Sequence, residues 1–359
     1  MQPPFDRPRQ AGWFAGLCLL ILCGPWLLPS SWLDRRETVY SNASLRLGPY
    51  PWLQKKIFQD SGPVDLVLAG SSHLWGGVNA LETGKMIQDK AGRPAEVFTL
   101  GWPWPGYDAL YFVTRDLLEK RQVRCLVIYD ESCGSGDFHL AAYQWLRFRR
   151  DWPSLRGLPF RLVMQAYAAS ILGVPKLVLS SLRPDGAVDP NLQEDYWQNF
   201  YQAPPVASQK GTLSSRLGLH YDPTFPPAPT FVDPPAQALA YGVTTRAAFR
   251  FSGTPLDPLQ NHFLEKVVAL GKEHGTRIVF LNFPLLQETQ NPEILEKQCW
   301  PERFGAGVEL LGIRPKDLFR GISEKDRQDL YYDPRHFNAH GQELYTRSIL
   351  PVLGEVYAK

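Results

Sequence analysis

Apolar positions along the chain fall into short continuous runs that alternate with helical patterns. Continuous apolar runs are typical of strands buried on both faces, as in a parallel sheet. Such runs predict strands at residues 64–69, 95–100, 123–129 and 276–282, with a shorter strand near 308–312. The alternation predicts an α/β domain whose parallel sheet has helices on both sides and binds ligands at the carboxyl ends of its strands.

Two helices are marked clearly by their own residues. Asp257, Pro258 and Gln260 combine an N-cap, a first-turn proline and a capping-box glutamine. The second helix runs to Tyr357 near the end of the chain. Both present one apolar face, formed by Leu259, Phe263, Val267 and Leu270 in the first helix and by Leu344, Ile349, Val352 and Val356 in the second.

The N-terminal region contains an uncharged apolar stretch at residues 11–33. At ~1.5 Å per residue it is long enough to cross the ~30 Å hydrocarbon layer once. Arg7 and Arg9 precede it, which favours a cytoplasmic N-terminus and an exported body. We expect an uncleaved anchor in the lipid bilayer. A cleaved signal peptide is the alternative, although no small-x-small cleavage site follows the stretch.

The rest of the chain divides into four further segments. After the cytoplasmic stub and anchor (1–37) come a linker (38–62), the first part of the α/β domain (63–133), an insertion (134–254) and the second part (255–359). The insertion begins with a helical region at residues 138–182, whose aromatic and basic face includes Trp145, and continues with an irregular region at residues 191–235. It has five open interpretations, which are a wall of a substrate groove, a membrane contact, a partner-binding surface, a contact for a carbohydrate or anionic polymer, and a solvated decoration.

A serine follows the first predicted strand at a sharp turn into a helical pattern. Ser72 lies in Gly70-Ser71-Ser72, where unpaired backbone N–H groups favour negative charge. This is a suitable position for a nucleophile whose substrate oxygen becomes an anion. A helix-capping serine in a small-residue turn is the structural alternative.

The C-terminal region supplies the partners that a serine nucleophile requires. Asp333 and His336 are three positions apart in Asp333-Pro334-Arg335-His336, and a nucleophilic serine needs a base oriented by a carboxylate. With these two blocks the chain resembles the SGNH (GDSL-type) hydrolase superfamily. The resemblance implies a flavodoxin-like three-layer sandwich and a Ser72–His336–Asp333 triad. It implies no cofactor and no metal.

The middle blocks of the superfamily correspond less closely to this chain. By the resemblance, the oxyanion hole is formed by the N–H groups of Ser72 and Gly101, since Gly101 ends the second predicted strand. The superfamily has an asparagine after the next strand, whereas this chain has Asp130 there. Asn282, after the following strand, is a substitute donor or a turn residue.

Other polar and aromatic side chains near these blocks have two interpretations each. Trp102 and Trp104, beside Gly101, form a stacking platform for a sugar or a wall of the site. His73 enters the site as a substrate contact or points elsewhere. His336 and His340 have the four-residue spacing of metal ligands on a helix, but the sequence offers no third ligand.

Two cysteines outside the anchor are candidates for a disulfide bond. Cys133 and Cys299 can pair in an oxidising compartment.

The composition is that of a globular protein and argues against nucleic-acid binding. The 359 residues carry a net charge of +2, which gives no basic field of the kind that binds nucleic acid. An anchored SGNH-like body resembles the alginate O-acetylation and teichoic-acid D-alanylation proteins of cell envelopes. This resemblance implies a serine esterase or O-acyltransferase that acts on acyl (acetyl) esters of an exported polysaccharide, with a multispanning membrane acyltransferase as partner. The alternatives are a simple anchored esterase or lipase and an inactive SGNH-fold scaffold.

Overall fold

The structure is a computed structural model. It describes residues 7–27, 36–40, 49–102, 105–129, 136–139, 141–146, 149–181, 248–251, 256–286, 294–297, 304, 308–331 and 333–358.

The strands form a five-stranded parallel sheet and a separate two-stranded parallel pair. The strands are β1 (Val64–Ser71), β2 (Val97–Trp102), β3 (Val123–Tyr129), β4 (Ala248–Phe251), β5 (Arg277–Leu281), β6 (Ile294–Lys297) and β7 (Val308–Leu311). In the large sheet the order is β2-β1-β3-β5-β7, and β4 pairs with β6. The five predicted strands are confirmed, with ends that shift by one or two residues.

Helices alternate with the strands of the large sheet. They are α1 (Pro8–Leu27), α2 (Glu37–Tyr40), α3 (Tyr50–Gln54, continued by a π-helical turn Lys55–Gln59), α4 (Ser72–Trp75), α5 (Ala80–Ala91), α6 (Tyr107–Lys120), α7 (Ala142–Trp145), a 3-10 helix (Arg149–Leu155), α8 (Phe160–Ser181), α9 (Pro258–Glu273), α10 (Pro315–Leu318), α11 (Glu324–Gln328) and α12 (Ala339–Ala358).

The positions of α9 and α12 and the N-cap of α9 agree with the sequence, whereas the Gln260 side chain has a partner other than the predicted capping box. The Asp257 side chain caps α9 by accepting the Leu259 N–H. The Gln260 side-chain oxygen accepts the Tyr107 N–H at 2.9 Å, so this residue joins α9 to the start of α6.

Two apolar layers cover the two faces of the sheet. Alternate residues of each strand point to opposite faces, so Val67 and Ala69 of β1 join one layer while Leu66 and Leu68 join the other. The first layer contains α6 and α9, and the second contains α5 and α12. The predicted α/β architecture is therefore confirmed.

The segment predicted as a linker contributes to this core wherever the structure describes it. Tyr50, Trp52 and Ile57 are buried in the first apolar layer. The Trp52 indole N–H donates to the Thr99 carbonyl at 2.8 Å and so covers part of the edge strand β2. Residues 49–59 are thus part of the folded body rather than a spacer.

A buried ionic cluster fixes the chain just before α2 to the body. The Arg36 guanidinium donates to Asp116 of α6 at 2.8 Å and to Asp151 of the 3-10 helix at 3.3 Å. Asp116 also accepts hydrogen bonds from the Tyr40 hydroxyl and the Trp145 indole. The buried Asp116 carboxylate is therefore paired with several donors. Through these bonds it links α6 to the segment 36–40 and to α7, which are distant in the sequence.

The first part of the predicted insertion packs into the same core. Phe138, Trp145, Leu155 and Leu162 are buried in the first apolar layer. Trp145, predicted on the aromatic and basic face, is fully buried against Phe112 at a centroid distance of 5.5 Å. This part is therefore not a solvated decoration. Residues 182–247, which include the whole irregular part, lie outside the described residues.

The helix α1 exposes many large apolar side chains. They are Trp13, Phe14, Leu17, Leu19, Leu20, Ile21 and Leu22. The helix packs beside α8, and the Tyr167 hydroxyl of α8 donates to the Leu22 carbonyl. Across the ranges that the structure describes, no helix combines the length and apolarity needed to cross a bilayer.

The strand order places a switch point between β1 and β3. The connection from β1 passes through α5 on one face, and the connection from β3 passes through α9 on the other. In open α/β sheets, ligands bind outside the carboxyl ends of the strands at such a switch point. Ser72 follows β1 directly, and Tyr129 ends β3.

Candidate active site

Ser72 begins the short helix α4 at the carboxyl end of β1. All eight residues of β1 are buried, and Ser71, its last residue, has an extended backbone (φ −69°, ψ −176°). The chain turns into a helix at the next residue. The turn leaves the Ser72 side chain half-buried at the rim of the sheet, where a substrate can approach it.

The Ser72 hydroxyl forms a hydrogen bond with a histidine 264 positions later. The distance from Ser72 Oγ to His336 Nε2 is 2.9 Å. The other ring nitrogen of His336, Nδ1, lies 2.8 Å from Asp333 Oδ2. Because a carboxylate only accepts, Nδ1 carries the proton that faces Asp333. The unprotonated Nε2 then accepts the serine proton, as a general base requires.

Asp333 is held in place by the backbone of its own turn. Its Oδ1 accepts the N–H groups of Arg335 and His336 at 2.7 and 2.8 Å, which leaves Oδ2 for the imidazole. Partial burial by itself raises the pKa of the Asp333 carboxyl. The hydrogen bonds from Arg335 and the His336 ring and backbone outweigh it, so the pKa lies below its ordinary value. The carboxylate is therefore charged at neutral pH.

The loop that carries the acid and the base is attached at both ends. Before it, the Tyr331 hydroxyl donates to the Pro284 carbonyl at 2.8 Å, and Leu286 N–H donates to the Pro334 carbonyl. After it, the Asn338 side chain accepts the His340 and Gly341 N–H groups and so caps α12. These contacts fix the loop over the carboxyl edge of the sheet.

Gly101 lies beside the end of β1, in register with Gly70. A Cβ at Gly101 would lie 2.5 Å from Trp75 Cγ, closer than side-chain atoms approach. The absence of a side chain at Gly101 is therefore explained by the close packing of Trp75. Its predicted N–H in an oxyanion hole stays a prediction.

Three further sequence candidates have distinct positions. Trp102 is 1% exposed and belongs to the core, so its indole presents no face to solvent. Trp104, the other candidate for a stacking platform, lies outside the described residues, as do Asp130, Cys133 and Cys299.

Asn282 follows β5 and is fully buried. Its backbone is paired, because the N–H donates to Leu311 and the carbonyl accepts the Tyr345 hydroxyl. Its amide nitrogen and oxygen have no hydrogen-bond partner among the described residues. The interpretation of Asn282 as a turn residue explains its backbone hydrogen bonds. It does not explain why its side-chain amide is buried without a partner among the described residues.

His73 packs between two rings. Its imidazole stacks on His336 with a centroid distance of 4.1 Å and an interplanar angle of 23°, and on Tyr129 at 4.8 Å and 16°. Burial, followed by the charge of the nearby His336, lowers the pKa of His73 to about 3, against an opposing effect of Asp333. His73 is therefore neutral at physiological pH.

The structure bears on the alternative that His336 and His340 bind a metal ion. Both ring nitrogens of His336 already contact Ser72 and Asp333. Within the described ranges, no three His, Cys, Asp or Glu side chains are arranged to hold a metal ion.

The sequence did not indicate two members of this site. Tyr129 was assigned to a strand only, although as the last residue of β3 it was at the edge where ligands bind. Trp75 lies three residues after Ser72, and its contact with Gly101 depends on the pairing of β1 with β2.

Comparisons with models of protein families, with characterised proteins and with solved structures gave no match.

Proposed function

We propose that this protein is a membrane-anchored serine esterase or O-acyltransferase of the SGNH type, acting on acyl (acetyl) esters of an exported polysaccharide. The observation that carries the proposal is the hydrogen-bonded series from Ser72 through His336 to Asp333. The strand order β2-β1-β3-β5-β7 supports a flavodoxin-like sandwich, in which this series lies at the switch point.

The proposed reaction has two halves. In the first, Ser72 Oγ attacks the ester carbonyl carbon while its proton moves to His336 Nε2. The carbonyl oxygen becomes an anion, for which the N–H groups of Ser72 and Gly101 are the proposed donors. The tetrahedral intermediate then collapses, and the leaving alcohol takes the proton from His336, which leaves an acyl group on Ser72.

The second half regenerates the enzyme. A sugar hydroxyl or water gives its proton to His336 Nε2 and attacks the acyl carbon. Ser72 then leaves and recovers the proton. Asp333 keeps the imidazole in one tautomer and stabilises its charged form in both halves. A sugar acceptor makes the protein a transferase, whereas water makes it an esterase.

The polysaccharide, the membrane anchor at residues 11–33, the extracytoplasmic location and the multispanning acyltransferase partner come from the sequence and its resemblance. Seven exposed large apolar side chains on α1 support the anchor. We expect the full chain to stay in the membrane fraction after alkaline carbonate washing. Release into the supernatant would contradict the anchor but not the triad.

Covalent labelling tests the nucleophile. A fluorophosphonate probe reacts with activated serines, so the wild-type chain should be labelled and Ser72→Ala should not. Ser61→Ala is the matched control, because it removes the hydroxyl of an exposed serine that lies three residues before β1. An unlabelled wild-type chain would favour the inactive scaffold. Labelling that persists in Ser72→Ala would disprove the assignment.

Acceptor dependence separates the two enzyme alternatives. Turnover of nitrophenyl acetate should rise when oligosaccharides with free hydroxyl groups are added as acceptors, and acetyl groups should appear on the sugar. Equal turnover with and without acceptors, with acetate as the sole acetyl-containing product, would favour the simple esterase.

A further inference from the structure

The residue after the nucleophile has a position that the triad does not explain. His73 lies with one ring face on His336 and the other on Tyr129. Its Nδ1 is 3.5 Å from Ser71 Oγ, and the Ser72 hydroxyl contacts His336 instead. The catalytic base thus has a second aromatic ring along one of its faces, in addition to the hydrogen bonds at its two nitrogens.

We propose that His73 is a positioning residue, whose ring packs between Tyr129 and His336 and holds the catalytic imidazole in line with Ser72. This inference rests on the proposed function. The Asp333 carboxylate at Nδ1 and the Ser72 hydroxyl at Nε2 hold the two nitrogens of the His336 ring. The ring can still rotate about the line that joins these two nitrogens. A flat ring 4.1 Å away restricts this motion on one face.

The charge state of His73 matters when His336 takes the serine proton. A neutral ring stacks favourably on the resulting imidazolium, whereas a second imidazolium at this distance would repel it. The charged or titratable groups that act on His73 are His336, Asp333 and Arg335 of the catalytic loop, and Tyr129 of β3 is stacked on its other face. Because burial keeps His73 unprotonated, the stack is compatible with the charged form of the base.

The experiment compares the rates at which a fluorophosphonate labels Ser72 in the full chain. His73→Ala removes the ring, His73→Leu restores volume without a flat ring, and His73→Phe restores the flat ring without a nitrogen. We expect His73→Ala and His73→Leu to label roughly 10- to 100-fold more slowly, the scale of a small misplacement of a catalytic group. His73→Phe should stay within about 3-fold of wild type. His274→Ala, at an exposed histidine after α9, is the matched control and should label at the wild-type rate.

The pH dependence separates positioning from proton transfer by His73. Wild type and His73→Phe should show the same single-proton acid limb of labelling rate against pH, because His73 does not titrate in the measured range. A His73→Phe rate as low as that of His73→Ala would overturn the proposal, since a nitrogen would then be required. A wild-type rate in His73→Ala would also overturn it. An unlabelled wild-type chain would instead refute the proposed function, and with it this role.

Discussion

The Trp75 indole packs directly against the α-carbon of Gly101, so the helix that begins with Ser72 is fitted to the neighbouring strand β2. Gly101→Ala keeps the backbone N–H that the proposed oxyanion hole uses, but its Cβ would lie 2.5 Å from Trp75 Cγ. We expect this change to lower the free energy of unfolding by about 1–3 kcal/mol, as overpacking does. Urea unfolding of both proteins, monitored by circular dichroism, measures this difference in the free energy of unfolding.

Gly84→Ala provides the control for that variant. Gly84 lies within α5, and its Cβ would meet Val97 at 3.6 Å, an ordinary contact. Alanine is the better helix former by about 1 kcal/mol, so stability should be equal or higher. If Gly101→Ala were as stable as Gly84→Ala, the close packing of Trp75 would not be the reason for a glycine at this position.

Asp333→Asn should abolish most of the activity without unfolding the protein. The asparagine oxygen can still accept the Arg335 and His336 N–H groups, but its NH2 group would face His336 Nδ1. Nδ1 must then be unprotonated, so Nε2 carries the proton and cannot accept one from Ser72. We expect the Ser72 labelling rate to fall by about 10⁴-fold, as in other triads with this change. Asp89→Asn, at an exposed position in α5, should label normally. A loss of less than 10-fold would argue against Asp333 as the orienting group.

Asn282→Leu should keep or raise stability, although it replaces a buried polar residue. The Asn282 amide has no hydrogen-bond partner in the described part of the chain, so its burial costs stability that an apolar side chain of similar size avoids. We expect the free energy of unfolding to rise by up to about 1–2 kcal/mol. Thr276→Val is the contrast, because the Thr276 hydroxyl donates to the Val123 carbonyl at 2.8 Å and its loss should destabilise. A destabilised Asn282→Leu would mean that the amide does have a partner.

Asp65 should make stability depend on pH. Burial by itself raises the pKa of this carboxyl, but hydrogen bonds from Arg93, the Tyr357 hydroxyl and the Glu96 N–H together lower it. Because its folded-state pKa lies below the unfolded value of about 4, the stabilisation is present above pH 4 and is lost as pH falls through the folded-state pKa.

The free energy of unfolding of wild type and Asp65→Asn, measured at several pH values, checks this pH dependence. The variant should be less stable than wild type at pH 7 by about 1–3 kcal/mol, and the difference should shrink as pH falls below about 4. Glu82→Gln, which removes an exposed pair with Lys85, should change stability by less than about 1 kcal/mol at any pH. A difference for Asp65→Asn that does not vary with pH would show that its charge is not the cause.

Much of the fold was predictable because burial on both faces of a parallel sheet leaves a direct trace in the sequence. Each strand of the large sheet consists mostly of apolar residues, and β1 is buried along its whole length. The cap of α9 was predictable for a similar reason, since Asp257 acts on an N–H two residues away. The segment 49–59 and Trp145 were mispredicted because their partners, such as Thr99 and Asp116, are far away in the chain.

The sequence by itself determined the local parts of this protein. These are the buried strands, the amphipathic helices, the turn at Ser72 and the Asp333–His336 pair. Their chemistry depends on residue type and short spacing, which a sequence displays. Only the tertiary structure decided that Ser72 meets His336, that His73 lies between two rings and that Trp75 covers Gly101. Those contacts depend on the order of the strands and on the face to which each connection crosses, and no local pattern of residues specifies them.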